Sequence, residues 1–537
     1  MTPRRDVSSR HPVKLPTPSE MAALEQQARE RHGISIATLM ERAGARTADV
    51  ARTLLRQRGG RRVVVLVGKG NNGGDGLVAA LRLSGESHVR VLLAVPADEI
   101  RGDPAVYLQA LRERFIEIVE AGTLDAGRLD HLLGDADLLV DAIFGTGFRG
   151  PAEGTPARVI QAANRSGTPI LAVDVPSGTG AGSGQADPPC ISAVATVTMG
   201  LPKVGLMQYP AAAYAGRIFV ADIGLPASLI DEAPISAALV HAGWVDRMLR
   251  PRREDSHKGL YGHVLVIAGA RGFAGAAVLC ARGAIRAGAG LVTIGGPASL
   301  AAAPPASLPE AMTRALPETP AGTLSESAGD AIVEAAGGMQ AVAIGPGLTT
   351  HPEVVALVRR LLPRLETPVV VDADALNALA GEPGSLRDVP GPVIITPHPG
   401  EMARLIGATT ASVQRDRLGA AREAARISGA VTVLKGARTI VASPDGHAAI
   451  IPNGNPAMAT GGMGDVLTGA IAALVGQQVP AFDAAACGAY LHGLAGDLAA
   501  AGRGELGLLA HEVADEIPRA LARVRAGEVD DGIASIA

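Results

Sequence analysis

Asp465 is the residue whose surroundings point most directly to chemistry. Gly461, Gly462 and Gly464 lie just before it, and a long helix-like stretch follows. Glycines at a helix start leave backbone N–H groups free to face a phosphoryl group, and a carboxylate there can accept a proton from a hydroxyl. The structural alternative is an ordinary capping aspartate. A capping role alone does not explain the neighbouring glycines, because glycines beside a cap destabilise a helix that has no ligand to bind.

Other polar residues in the same half of the chain follow predicted strands. Lys435 ends VTVLKGART, and His398 lies between two prolines in TPHPGE. GPGL at 345–348 and DADALN at 372–377 also stand at strand ends. The lysine can contact a nucleotide phosphate or remain solvated, and the histidine can bind a ligand or serve the fold.

A glycine-rich segment in the first half, GKGNNGGDG at 68–76, directly follows an apolar strand and precedes a helix-like stretch. Such a strand-loop-helix forms an anion cradle, although its spacing matches neither the dinucleotide fingerprint nor the P-loop. A tight turn needs the glycines but not Asn71, Asn72 and Asp75. The segment therefore favours a binding site over a packing turn.

Carboxylates end two further strands of the first half. Asp141 lies in DLLVDAIFG, and Asp174 lies in LAVDVPSG, which also contains Ser177. Ligands of open α/β sheets bind beyond the carboxyl ends of the strands, so we expect these residues to converge on one crevice. Capping or turn formation is the alternative for each residue alone. Their oxygens also suit a hard cation.

Two series of short β-branched runs alternate with helix-like stretches, the first between residues 63 and 224 and the second between 263 and 443. Near-continuous apolar strands separated by helices predict parallel sheets that are covered on both faces. The sequence thus predicts an α/β protein with two doubly wound domains. The predicted divisions are a loose tail over 1–16, a domain over 17–228, a linker over 229–258 and a second domain over 259–537.

Composition narrows the possible partners. The 537 residues carry a formal charge of −4, and aromatic residues make up 2% of the chain, so neither a polyanionic partner nor a stacking surface for single strands is expected. No apolar run is long enough to cross a membrane, and no secretory signal is recognisable. Three cysteines without a CxxC pair fit a reducing compartment. We expect a cytoplasmic protein that binds neither nucleic acid nor membrane.

The motifs of the first half occur in a recognisable order. GNNGGDG, DAIFGTG, DVPSG, TMGLPKVG and ADIGLP resemble the YjeF amino-terminal family of Rossmann-like three-layer domains, which are epimerases of hydrated NADH and NADPH. The resemblance implies a potassium ion on Asn72, Asp141 and Ser177, and Asp174 is our candidate acid–base group. It implies that hydrated coenzyme is contacted by Asn71, Asn72, Gly73, Gly74, Asp75, Gly145, Thr146, Gly147, Phe148, Arg149, Gly150, Pro151 and Asp174.

The second half, over about 240–530, is similar to the carboxy-terminal YjeF family of the ribokinase-like fold. The resemblance lies in HKGLYGHVLVIAG, AIGPGL, VDADALN, TPHPGE, LKGART and GNPAMATGGMGDVLTG. Members dehydrate hydrated NADH and NADPH and consume ADP or ATP. The implied coenzyme contacts are Ala276, Gly347, His398 and Asp465, and the implied nucleotide contacts are Lys435, Gly436, Ala437, Arg438, Thr439 and Gly464. Ala277, Ala457 and Met463 depart from the family pattern.

Together the two resemblances imply an enzyme, with both isomerase and lyase activity, that repairs hydrated nicotinamide coenzymes. The first domain would interconvert the R and S hydrates, and the second would dehydrate the S hydrate, converting ADP to AMP and phosphate with magnesium on the donor phosphates. We expect a homo-oligomer. The alternative is a ribokinase-like small-molecule kinase joined to a nonenzymatic binding domain.

Overall fold

Short runs of valine, leucine and isoleucine form the strands, and the glycines that follow them turn the chain into helices. The computed structural model describes residues 13–300, 306–504 and 506–536. The chain divides into two units, one of residues 13–237 together with 532–536, and one of residues 238–531.

With strands numbered along the chain, those of the first unit are β1 Val13–Lys14, β2 Arg62–Val67, β3 His88–Leu93, β4 Glu117–Glu120, β5 Leu138–Ala142, β6 Ile170–Val173, β7 Ala195–Met199, β8 Arg217–Ala221 and β19 Ile533–Ile536. Eight of them form a sheet in the order β19-β8-β7-β6-β5-β2-β3-β4, in which every neighbouring pair is parallel. Its helices are Pro18–His32, Ile36–Arg58, Asn71–Leu83, Asp103–Glu113, Ala126–Gly134, Gly154–Arg165 and Ala227–Glu232.

Both faces of this sheet are covered. Val63, Val65 and Val67 of β2 belong to one apolar core, whereas Val64 and Leu66 belong to another on the opposite face. The strand order runs outward from β2 and β5 in opposite directions, which makes that pair the switch point of the sheet. Open α/β sheets bind ligands there.

The strands of the second unit are β10 His263–Ile267, β11 Leu291–Pro297, β12 Met312–Leu316, β13 Ala341–Ile344, β14 Val369–Val371, β15 Val393–Ile395, β16 Val431–Leu434, β17 Ile440–Ala442 and β18 Ala448–Ile450, and β9 Ala237–Leu239 lies at the division between the units. Strands β10 to β18 are arranged in the order β18-β17-β16-β15-β14-β13-β10-β11-β12. Its helices are Ala242–Met248, Ala274–Arg286, Gly329–Ala336, Pro352–Leu361, Ala373–Ala378, Pro399–Ile406, Thr410–Arg415, Arg417–Ser428, Met463–Gly476, Ala481–Ala500 and Ala510–Ala526.

This sheet is parallel from β12 to β16 and antiparallel from β16 to β18, and its switch point lies between β10 and β13. The helix Met463–Gly476 is buried along most of its length. A Cβ atom on Gly469 would lie only 1.8 Å from the carbonyl oxygen of Cys280. The missing side chain therefore lets this helix pack directly on Ala274–Arg286, which fixes the position of its first turn.

The doubly wound α/β class is confirmed, but several boundaries lie elsewhere than predicted. The prediction of a tail falls outside the described residues for 1–12, and Leu15 beyond them is fully buried. The predicted linker over 229–258 contains two helices and a strand. The last strand, Ile533–Ile536, was predicted to be part of the second domain but pairs with β8 of the first unit. Within the described ranges, no helix is long and apolar enough to span a membrane.

Candidate functional sites

The glycine-rich segment 68–76 forms a turn and the first turn of the helix Asn71–Leu83. A Cβ on Gly68 would lie 2.0 Å from the carbonyl oxygen of Ile143, and one on Gly73 would lie 2.1 Å from the carbonyl oxygen of Gly68. Only glycine fits such approaches. They bring the helix N-terminus against the end of β5, at the switch point.

Asn72, Asp141 and Ser177 meet at this place. The Ser177 hydroxyl donates to Oδ1 of Asp141 at 2.6 Å, and its backbone N–H donates to Oδ2 at 2.8 Å. Nδ2 of Asn72 donates to the Phe144 carbonyl at 2.9 Å, whereas Oδ1 of Asn72 is buried and has no hydrogen-bond partner. Burial raises the pKa of Asp141 to about 6, although its hydrogen bonds oppose that shift. An unpartnered amide oxygen beside a buried carboxylate and a hydroxyl fits a hard cation.

Asp174, at the end of β6, is held by a buried lysine. Its φ of 65° is uncommon for a residue other than glycine. Lys203 is 1% exposed, and its Nζ donates to Oδ1 of Asp174 at 2.5 Å and to the carbonyl of Met199 at 2.8 Å. Nζ also lies 3.2 Å from the hydroxyl oxygen of Thr198. This pair lies one strand away from Asp141.

Two more carboxyl groups share this neighbourhood. Burial raises the pKa of Asp75 well above its usual range, the charges of Asp174 and Glu25 raise it further, and Lys203 opposes them. Burial is likewise the largest cause that raises the pKa of Glu25. Glu25, Asp75 and Asp174 therefore interact electrostatically with one ammonium group, that of Lys203.

The predicted substrate loop 145–151 borders a cavity of about 200 Å³. The rings of Phe144 and Phe148 stack with centroids 4.1 Å apart, and the Arg149 guanidinium donates to the carbonyls of Thr146 and Phe148. Phe148, Arg149 and Gly150 line the cavity together with Gly178, Thr179, Gly180, Gly182, Ser183, Gln185 and Asp187. The structure does not place the other members of the loop, Gly145, Thr146, Gly147 and Pro151, among the lining residues.

In the second unit, Asp465 lies in the first turn of Met463–Gly476, as the sequence predicts. Burial raises its pKa to about 7, and the charge of Asp372 adds to this effect, while Lys435 opposes it. Asp374 and Glu401 raise it further. A carboxyl group with such a pKa exchanges a proton readily near neutral pH.

Lys435 reaches the same helix start. Its Nζ donates to Oδ1 of Asp372 at 2.6 Å and lies 3.6 Å from Oε2 of Glu401. The Thr468 hydroxyl donates to the other oxygen of Asp372 at 2.8 Å. A Cβ on Gly464 would lie 3.2 Å from Nζ of Lys435. The ammonium group thus stands over the glycine-rich turn, where a transferring phosphoryl group would need positive charge.

The remaining predicted coenzyme contacts follow other strands of the same unit: His398 follows β15, Gly347 follows β13, and Ala276 lies in the helix after β10. His398 caps the helix Pro399–Ile406, and its Nδ1 accepts from the N–H of Gly400 at 3.0 Å, while half of its side chain stays exposed. Ala276 and Gly347 are neighbours at the switch point, since a Cβ on Gly347 would lie 3.0 Å from Cβ of Ala276. The histidine therefore has a structural role that the sequence left open.

The turn 435–439 follows β16 and presents the predicted nucleotide contacts. Buried Arg417 donates to the carbonyls of Leu434 and Lys435 at 3.2 and 3.3 Å, and the Thr439 hydroxyl donates to the carbonyl of Gly436 at 3.0 Å. Arg438 has a φ of 56°. The turn, which also includes Ala437, is thus fixed from within the unit.

The three departures from the family pattern, Ala277, Ala457 and Met463, are all buried in the apolar core of this unit. These three differences from the family pattern therefore alter the packing of the core and do not replace a polar contact.

Sequence reasoning missed several residues of both sites. Four of these residues lie inside recognisable motifs, but their contacts join separate strands and helices: Lys203, Asp372, Glu401 and Thr468. Glu25 lies on a helix for which only helical spacing was evident. Strand-end position is the signal that favours Asp372, whereas no local pattern predicts that Lys203 faces Asp174.

Both halves of the chain match the models of known protein families. A family model described as YjeF-related protein N-terminus covers residues 36–205, and one described as NAD(P)H-hydrate dehydratase covers 264–519. The chain is 46% identical to a bifunctional NAD(P)H-hydrate repair enzyme Nnr of Moorella thermoacetica over 94% of this chain and 96% of that one. It is 34% identical to the Escherichia coli enzyme of the same name, with 92% and 91% covered. An ADP/ATP-dependent NAD(P)H-hydrate dehydratase from Bacillus subtilis, co-crystallised with ATP and Mg²⁺, is 34% identical, covers 53% of this chain and 98% of that chain, and has a TM-score of 0.46.

Proposed function

Because the chain belongs to the family of bifunctional NAD(P)H-hydrate repair enzymes, we propose that it restores hydrated NADH and NADPH through two sites. The first unit epimerises the R and S hydrates at C6 of the nicotinamide ring. The second dehydrates the S hydrate to NADH or NADPH. This assignment agrees with the family that the sequence motifs predict.

The observation that carries the dehydratase proposal is Asp465 at a glycine-rich helix start, next to Lys435. Asp465 takes the proton of the C6 hydroxyl as that oxygen attacks the terminal phosphorus of the nucleotide. Lys435 and the backbone N–H groups of the turn stabilise the negative charge of the transferring group. Phosphate then leaves C6 as the ring nitrogen supplies electrons, and C5 loses a proton to the released phosphate, which restores the C5=C6 double bond of NADH or NADPH.

The nucleotide that we propose is ADP, which is converted to AMP, with 435–439 and Gly464 at the nucleotide and Ala276, Gly347 and His398 at the coenzyme. Magnesium would accompany the nucleotide phosphates. The negative groups Asp372, Asp374 and Glu401, which act on Asp465, give this place the charge that a divalent cation needs.

For the first unit we propose that Asn72, Asp141 and Ser177 would hold a potassium ion next to the loop that follows Phe144, where the ion would supply positive charge beside the hydrated ring. The unpartnered Oδ1 of Asn72 supports this cradle. Asn71, Gly73, Gly74 and the loop 145–151 bind the coenzyme. Asp174 takes part in proton transfer.

Asp141→Ala tests the cation cradle. The substitution removes the buried carboxylate that Ser177 contacts twice. Epimerisation and its dependence on potassium should be lost, while dehydration of pure S hydrate stays unchanged. Equal loss of both activities in a folded variant would argue against separate sites.

We also propose that the protein acts in the cytoplasm as a homo-oligomer. Sedimentation velocity of the purified chain tests the second point, since a single monomeric species over the working concentration range would contradict it.

One reaction mixture separates the proposed dehydratase from a small-molecule kinase. The protein is incubated with hydrated NADH and ADP or ATP, and the near-ultraviolet absorbance of the reduced ring is followed. A dehydratase restores that absorbance and releases phosphate. A kinase would leave a stable phosphorylated product and no new absorbance.

A further inference from the structure

Arg417 is a buried charged residue for which the described part of the chain provides no ion-pair partner. It begins the helix Arg417–Ser428 and is 7% exposed. Its guanidinium group donates to Oε1 of Gln414 at 2.9 Å and to the carbonyls of Leu434 and Lys435 at 3.2 and 3.3 Å. Burial lowers its pKa to about 10, so the group keeps its charge at neutral pH. Arginine is rarely buried in this way unless it is paired.

Hydrogen bonding alone does not explain a guanidinium group at this place. Its three acceptors are neutral amide oxygens, and a neutral donor could bind them without the cost of burying a charge. By contrast, the partly buried Arg282 of the same unit pairs with Asp515 through two hydrogen bonds of 2.9 and 2.7 Å. The fold thus supplies a carboxylate for Arg282 but not for Arg417. A missing counter-charge favours an anion that comes from outside the chain.

The guanidinium group lies against the turn 435–439, which follows β16. Gly436 has a φ of 134°, and a Cβ atom at this position would lie 3.1 Å from Nη1 and 3.2 Å from Nη2 of Arg417. Any larger residue would therefore crowd the guanidinium group. The uncompensated charge thus belongs to the turn to which we assign the nucleotide.

Lys435, in the same turn, has its own counter-charges. Its Nζ donates to Oδ1 of Asp372 at 2.6 Å and lies 3.6 Å from Oε2 of Glu401. Arg438 adds a further guanidinium group to the turn. The ammonium charge of Lys435 is therefore balanced within the protein, whereas the charge of Arg417 is left to balance a bound anion.

Arg417 also fixes the direction of two peptide groups. The carbonyls of Leu434 and Lys435 face its guanidinium group, and the peptide bonds that they belong to are trans. In a trans peptide the N–H points away from the carbonyl. The N–H of Lys435 accordingly reaches the carbonyl of Pro397 at 2.9 Å, and the N–H of Gly436 points away from Arg417. A carbonyl that accepts from a cation makes the N–H of the same peptide a stronger donor.

Resting on the nucleotide site proposed above, we propose that Arg417 is a positioning residue for an anionic ligand, a nucleoside mono- or diphosphate, at the turn 435–439. Its guanidinium group holds the carbonyl side of the peptides, so that the N–H of Gly436 faces a phosphate oxygen. The phosphate charge compensates the buried guanidinium charge. A neutral nucleoside gains neither effect.

Isothermal titration calorimetry of the full chain with adenosine, AMP and ADP, in the presence of magnesium salts, tests this role. Arg417→Gln keeps an amide donor for the carbonyls but removes the charge. The affinity for AMP and ADP should fall by about 10-fold or more, as expected for the loss of a unit charge in partly buried surroundings. The affinity for adenosine should change much less. Arg417→Lys keeps the charge without the planar fork, and it should retain most of the preference for AMP and ADP over adenosine.

Arg387→Gln is the matched control. Arg387 donates to the carbonyls of Arg426 and Ile427 at the other end of the same helix, to the second of them at 2.8 Å, but it is exposed. Its substitution removes a guanidinium group that also holds two consecutive carbonyls. The control should lower stability and leave all three affinities unchanged.

Circular dichroism identifies the variants that fold. In folded Arg417→Gln, an unchanged affinity for AMP and ADP, or an equal loss for adenosine, would overturn the inference. If Arg417→Gln does not fold, Arg417→Lys decides, because loss of its preference for AMP and ADP over adenosine would overturn the inference as well. A wild-type protein that binds AMP and ADP but never restores NADH would overturn the proposed dehydration and not this inference.

Discussion

At the scale of single residues, Asp465 is at once the base of the proposed dehydration and a charge that the fold keeps partly buried. Asp465→Asn preserves the size of the side chain and suits a helix start, but it cannot accept the hydroxyl proton. Dehydration should fall by about 10²- to 10⁴-fold, while epimerisation and coenzyme binding persist. NADH recovery and the epimer ratio, followed together, check this outcome.

The matched control is Asp330→Asn. Asp330 also lies in the first turn of a helix of the second unit, but its side chain is 90% exposed and pairs with exposed Arg364. It should leave both activities unchanged. Near-normal dehydration by Asp465→Asn would restore the capping interpretation of that residue.

The raised pKa of Asp465 predicts the pH dependence of dehydration. Burial, reinforced by Asp372, raises this pKa to about 7, and the base must be ionised to accept a proton. The rate should therefore rise with pH through about 7 and fall below it. A profile of kcat/KM for S hydrate that is flat between pH 6 and pH 8, roughly one unit either side of that pKa, would contradict the role.

The same shift predicts an opposite effect on stability. A carboxyl whose pKa is higher in the folded state loses folding stability as pH rises from its unfolded value of 3.8 to about 7. Above pH 7 the cost is roughly 1 to 4 kcal/mol, at about 1.4 kcal/mol for each pKa unit and reduced by partial exposure. Asp465→Asn should thus raise Tm at about pH 8 and by less at about pH 5. If the wild type and the variant had equal Tm values at both pH values, this prediction would be wrong.

At the scale of elements, local patterns predicted the apolar strands and the glycine turns, because each depends on the types of residues that are consecutive in sequence. They also placed Asp141, Asp174 and Asp465 at strand ends or a helix start, as observed. Two ion pairs were not predicted because their partners are distant in sequence: Lys203 and Asp174 are 29 residues apart, and Lys435 and Asp372 are 63 residues apart.

The last strand was assigned to the wrong domain for a similar reason. A four-residue run, Ile533–Ile536, carries no sign of which sheet edge it extends. Such partners are set by the tertiary fold rather than by propensity.

That strand leads to a prediction for the first unit. Deleting residues 532–537 uncovers the edge of β8 and removes Ile536 from its contact with the core. The loss of apolar burial should reduce the stability of the first unit by about 1.5 to 3 kcal/mol. The midpoint temperature at which epimerase activity is lost should therefore fall by roughly 5 to 10 °C. Heat-inactivation curves for the two activities of one preparation measure this. An unchanged epimerase curve would make the strand dispensable.

At the scale of the whole molecule, the two units differ in their continuity. The second is an uninterrupted segment, 238–531, whereas the first is completed by the end of the chain. A fragment of 238–531 should therefore fold and dehydrate S hydrate, while a fragment that ends at 237 should be less stable than the same unit in the full chain. Circular dichroism and activity of the two fragments check this. Failure of 238–531 to fold would contradict its independence.

Hydrated NADH in the R form reveals whether one chain carries both activities, because its recovery requires epimerisation followed by dehydration. Wild-type protein is given hydrated NADH enriched in the R epimer, with ADP and potassium and magnesium salts, and NADH and both epimers are quantified over time. We expect the wild type to recover NADH fully. Asp465→Asn should give a mixture of epimers and form NADH about 10²- to 10⁴-fold more slowly. The 238–531 fragment should recover NADH no faster than R hydrate epimerises uncatalysed. Accumulation of a stable phosphorylated hydrate, or rapid recovery of NADH by the fragment alone, would contradict the assignment of the two activities to the two units.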